Sequence, residues 1–184
     1  MGKLSLASRV TAFIGVTFIL CVVSLGFAMQ SSIIGHFAEE DAEEYSVMVS
    51  AIENAIAIEP MVLTGEHFKA RMEGAISGHH GVFFGIFDAK GDVLYMVDGP
   101  DLRKIVNSSN PVHSASPDNL YEWSEDDNNY RGVVILSEEA PPGTKIAVAS
   151  DLEFHLHFIE EFQLHLWQML AGGCGIILVA AWIA

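Results

Sequence analysis

Residues 81–97 read GVFFGIFDAKGDVLYMV, and the fold turns on how they are read. Two runs rich in aromatic and branched residues flank Asp88-Ala89-Lys90-Gly91-Asp92. Strand formers on either side of a short Asp- and Gly-bearing segment predict an antiparallel hairpin. The acids would also suit a cation loop. A turn accounts for them better, because aspartate bonds its own backbone and glycine accepts left-handed geometry.

Working downstream, residues 107–129 are polar, with NSSNPVHSASPDN and the acidic SEDDNN. They read as a loop containing a short strand at Leu120–Trp123. YRGVVILS and KIAVAS then supply two more strands, joined across EEAPPG. Working upstream, TGEHFKARMEGAIS (Thr64 to Ser77) reads as a helix capped near Thr64 and stopped at Gly78. From Gly35 to about Ile58 there is no proline or internal glycine before Pro60, and Tyr45, Val49, Ile52 and Ile56 recur at helical spacing. The expected domain is α+β: four or five antiparallel strands flanked by helices. It resembles the PAS-like external domains of bacterial membrane receptors.

Both ends of the chain run into apolar sequence. VTAFIGVTFILCVVSLGFAM, from Val10 to Met29, carries no charge, and a second apolar run begins near Leu166. A hydrocarbon core about 30 Å thick takes roughly 20 such residues in a helix, so both runs read as membrane spans. Lys3 and Arg9 precede the first run and the acids of EEDAEE follow it, which puts the N-terminus inside. The length of the first run argues for an uncleaved anchor over a signal peptide cut near Ala28. The expected organisation is a cytoplasmic 1–9, a span over 10–32, an external domain over 33–164 and a second span over 165–184. That second span has no polar exit, so the chain reads as cut within it.

The net charge is −15, and every acid falls in the external segment. Such a surface disfavours nucleic acid and anionic lipid. The two cysteines, Cys21 and Cys174, lie in the spans, leaving the external domain without a disulfide or a thiolate metal site. No phosphate loop, nucleophile–base pair or zinc-hydrolase spacing is present, so the fragment shows no catalytic residues.

Histidine placement is the chemical signal. In DLEFHLHFIEEFQLHLWQML (Asp151 to Leu170), His155, Ile159, Phe162, Leu166 and Met169 follow 4, 3, 4, 3 spacing, the seam of a helix pair. His155 therefore faces a partner helix, which implies a homodimer. His157 falls off the seam, and His165 beside Trp167 reads as an interfacial anchor. His36 lies nine residues before Tyr45, half a turn from the apolar stripe, and so points outward. At about 1.5 Å per residue, His36 stands about 10 Å beyond the first span and His155 about 15 Å before the second. Imidazoles from two helices at similar height make a plausible metal site. Imidazole suits copper and zinc alike.

SLASRVTAFI, HFAEEDAEE and DLEFHLHFIEEF, in that order, resemble the copper- and silver-responsive sensor histidine kinases of the Cus/Cop type. The resemblance implies a dimeric PAS-like periplasmic domain between two inner-membrane spans. It also implies an ATP-dependent kinase region beyond this chain that phosphorylates a response regulator of metal resistance. The metal site it implies is His36 with Phe37 beside the ion, and His155. His157 is a further candidate, and Asp41 stands where related zinc-sensing kinases place an acid. Some relatives carry a Met- and His-rich loop in mid-domain. Residues 107–129 hold only His113 and no methionine, so a thioether-rich second site is not expected. His79-His80 reads as loop or turn. The alternatives are a zinc or cadmium sensor using the same site, and a receptor for a small organic ligand held among Phe83, Phe84, Tyr95 and Trp123. A membrane anchor or assembly protein with incidental histidines is the third.

Overall fold

The computed structural model describes residues 6–59, 63–75 and 81–183, with the side chains of 6–8, 11, 154, 155, 178 and 180–183 outside that description. Pro60, Gly78 and His79-His80 lie outside the described residues. The elements are α1 (Leu6–Ala57), α2 (Glu66–Ala75), β1 (Val82–Phe87), β2 (Val93–Met96), α3 (Arg103–Ser108), β3 (Tyr121–Glu125), β4 (Asn128–Leu136), β5 (Lys145–Asp151) and α4 (Glu153–Ile183). Two compact parts result: the chain through Gly35 with the chain from His155 on, and His36–Phe154.

His36–Phe154 holds one sheet of five strands in the order β2-β1-β5-β4-β3, with every ladder antiparallel. The expected hairpin is β1–β2. Asp88 Oδ1 accepts from the N–H groups of Lys90 and Asp92, both at 2.8 Å. Gly91 takes φ +93°, which a Cβ would resist. The carboxylate thus serves the turn rather than a cation, and the hydrogen bond from the Asp92 N–H leads the causes that lower its pKa.

One face of the sheet packs on α1. Tyr45, Met48, Val49, Ile52 and Ile56 bury against Phe84, Ile86, Val133, Ile135, Ile146 and Val148, as the helical stripe predicts. Phe68 and Met72 of α2 join that core. Phe87, Val134, Ala147 and Ala149 face the other way, under Leu102, Ile105 and Val106. The proposed organic-ligand aromatics are largely absorbed by packing. Phe84 and Tyr95 belong to the first core, Trp123 packs on the second, and Phe83 lies edge-on to Tyr130 at 6.1 Å.

The short strand expected at Leu120–Trp123 is β3, and the loop before it runs from Ser109 to Leu120, so the structure corrects only the ends of the polar stretch 107–129. Helix α3 occupies Arg103–Ser108, too short for a 3.6-residue period to register. Val112 is strapped to β4 by Val112 N–H to Val134 O and Leu136 N–H to Val112 O, both 2.9 Å. SEDDNN is a tight hairpin tip between β3 and β4, with Asp126 at φ 49° and Asp127 at φ 67°.

The other compact part is helical. It takes in the first part of α1, whose segment Ala12–Ala57 runs on into the sheet domain and is long and apolar enough to cross a membrane; Phe13 is 74% exposed. Phe27 meets Trp167 edge-on at 6.0 Å. A Cβ on Gly26 would touch Leu166 and Leu170 of α4 at 3.4 and 3.7 Å. Leu166, placed on a seam towards a second copy by its spacing, thus contacts the chain's own first helix, and Met169 is 76% exposed. Cys21 and Cys174 are free thiols.

Candidate functional site

The residues singled out by sequence fall into three environments. His36 sits on the exposed side of α1 and Phe37 beside it is half-buried. The outward direction of His36 follows from its half-turn offset from Tyr45, which is fully buried. His155 lies in the first turn of α4, its side chain outside the described residues. His157 is exposed, with Nε2 3.5 Å from Glu161 Oε1 on the same helix. His165 Nδ1 pairs with the Glu161 carbonyl at 2.8 Å. Among the described residues, no group of three or more His, Cys, Asp or Glu is arranged to hold a metal ion.

Asp41 is placed differently from His36. It is 2% exposed and belongs to the inward stripe, four residues before Tyr45. Arg131 Nη1 donates to its Oδ2 at 2.6 Å, while Arg131 Nε donates to Glu122 Oε1 at 2.9 Å. Burial works against the guanidinium charge, but the hydrogen bonds to Glu122 and Asp41 outweigh it and raise the Arg131 pKa. Above the same strands, the Tyr45 hydroxyl donates to the Arg131 carbonyl at 2.8 Å and lies 2.6 Å from Ser150 Oγ. Burial pushes that phenol well above its ordinary pKa. The sequence reading did not single out Arg131, although it shares strand parity with the core residues Val133 and Ile135. Tyr45→Phe should lower stability by about 1–2 kcal/mol, because it strips a partner from a buried acceptor, the Arg131 carbonyl, and from a buried donor, the Ser150 hydroxyl. Chemical denaturation with an unchanged m-value would check this.

A five-stranded antiparallel sheet backed by a long helix defines the class: an α+β domain on a helix that is long and apolar enough to cross a membrane. The CusS sensor domain family matches residues 2–159, and the chain belongs to that family. Similar proteins include the sensor histidine kinase CusS of Escherichia coli K12, 24% identical over 174 residues. The probable sensor kinase SilS of Salmonella typhimurium is 22% identical over 180 residues. These alignments cover 85% and 88% of this chain but 36% of each relative, so the chain spans about a third of their length. A crystal structure of the CusS sensor domain with silver bound superposes with a TM-score of 0.50 at 22% identity. It covers 69% of this chain and 99% of that one, which bears out the α+β fold.

Proposed function

We propose that the chain is the metal-input portion of a two-component sensor histidine kinase, detecting silver or copper ions in the periplasm. It is anchored in the inner membrane by two spans, 10–32 and 165–184, with residues 33–164 outside. The observation that carries this reading is the family match over residues 2–159, which takes in both His36 and His155. Neutral imidazoles from these two residues hold the ion across a homodimer contact, with the Phe37 ring against it as a cation–π partner. Two imidazoles and a ring face suit a monovalent d10 ion, whereas zinc asks for four donors. His157 is a secondary ligand reached by leaving Glu161. Asp41 is committed to Arg131 and stays out of the ligand set.

Metal binding shifts a two-state dimer by its differential affinity for the two arrangements. Driving that balance from 1:99 to 99:1 takes about 5.5 kcal/mol, within reach of a bridging ion. The shift passes to an ATP-dependent kinase region in the full-length protein, which phosphorylates itself and then a response regulator. Ligand imidazoles must be neutral, so affinity falls on acidification.

Calorimetric titration of the chain in lipid nanodiscs with silver, cuprous ion and zinc tests the reading. His36→Ala and His155→Ala should each weaken silver binding by about 10–100-fold, comparable to or beyond the loss of an outer-shell partner. Unchanged affinity in both variants removes the site. Preferred zinc binding through the same residues would make it a zinc sensor, and indifference to every ion would favour the organic-ligand reading.

A further inference from the structure

We propose that Arg131 is a positioning residue for the metal-binding end of α1: it locks the rotation of that helix so that His36 is presented outward. This rests on the reading of His36 as a ligand. Glu122, Arg131 and Ser150 are direct cross-strand partners on β3, β4 and β5, so they form one row on the α1 side of the sheet. Asp41 and Tyr45, one turn apart on α1, close onto that row through the Arg131 guanidinium, its carbonyl and Ser150 Oγ.

Further along α1 the contact with the inner sheet face is made by Met48, Val49, Ile52 and Ile56, with one exposed polar contact in which the Glu138 N–H donates to Glu53 Oε1 at 2.9 Å. The apolar stripe decides which face of α1 is buried, but apolar contact is non-directional and leaves the exact rotation of the helix loosely set. A guanidinium held between two carboxylates does choose one, because its fork has fixed geometry. His36 precedes Asp41 by five residues, roughly 140° around the axis at about 100° per residue. Burying Asp41 on Arg131 therefore turns His36 to solvent. A buried ion pair is a weak source of stability compared with apolar residues of the same volume, and fixing register is its best-attested use. That is the role the row fills here.

The test separates positioning from folding. Asp41→Leu/Arg131→Met replaces the pair with apolar side chains of similar size and should keep the thermal midpoint at or above wild type. Two readouts are taken on the chain in nanodiscs. Amide hydrogen exchange without metal should rise across residues 37–45. Silver affinity should fall about tenfold, the loss expected when a tenth of the molecules present His36 correctly. A folded double variant with wild-type exchange and wild-type silver affinity overturns the proposal, as does raised exchange with undiminished affinity. If the double variant does not fold, Arg131→Lys keeps the charge but not the fork. It should show the same two changes, several-fold in affinity, and no change there also overturns the proposal. If wild type ignores silver, the metal reading fails. The exchange result, which needs no metal, then still decides whether the row locks α1.

Discussion

Arg131→Ala is expected to destabilise the folded chain by about 3–5 kcal/mol, the cost of breaking a buried charge pair by removing one partner. The asymmetry of the site explains the size. Glu122 has a side chain 61% exposed and returns to water when the arginine is gone, whereas the Asp41 side chain is 3% exposed and cannot. The carboxylate is left in the core without its guanidinium, and the truncation opens space between α1 and β4 as well. For a domain of this size the thermal midpoint should fall on the order of 10–20 °C. Asp41→Asn should cost less, because an amide still accepts from Arg131. Arg131→Ala losing less than Asp41→Asn in the same thermal series would contradict this account of the pair.

Gly132→Val carries the other large effect. Gly132 pairs with Ala149 in the central β4–β5 ladder. A Cβ there would sit 2.4 Å from the Val148 carbonyl oxygen and 2.9 Å from Ala149 Cβ. The obstacle is backbone in the middle of the sheet, so relief requires parting the ladder rather than rotating a side chain. Overpacking of a core usually costs about 1–3 kcal/mol, and Gly132→Val belongs at or beyond the top of that range. Gly85→Ala is the control. Its Cβ would meet the buried Phe87 ring at 2.8 Å, a side chain that can shift without parting a strand ladder, so its loss should be smaller. Equal midpoints for the two variants in denaturant titration would rule out the backbone explanation.

Much of this architecture was legible because its signals are periodic. The stripe from Tyr45 to Ile56 named the buried face of α1, and its phase placed His36 on the opposite side. The Asp88–Asp92 turn was legible from residue chemistry. Strands β3 and β4 were legible, but their tight connection was not, because its tip is Asp126-Asp127, and two-residue hairpin turns usually announce themselves with glycine. Helix α3 was missed because six residues are less than two turns. In the site, Asp41 was weighed by its sequence distance from His36, whereas its place in the stripe already directed it inward. Arg131 had a readable signal too: an arginine at core parity in an apolar strand calls for a buried acid. The geometry of α1 over β4 names which acid.

Strand β5 ends at Asp151 and α4 begins at Glu153, so Leu152 is the whole connection. Leu152 is itself buried, and its N–H is held by the Asn129 carbonyl at 2.8 Å. Asp151 accepts from the Glu153 N–H, closing the first turn of the helix. Such a joint has no slack. A substitution that dislodges Leu152 therefore reaches β5 directly, and β5 is paired with both β1 and β4 along its length.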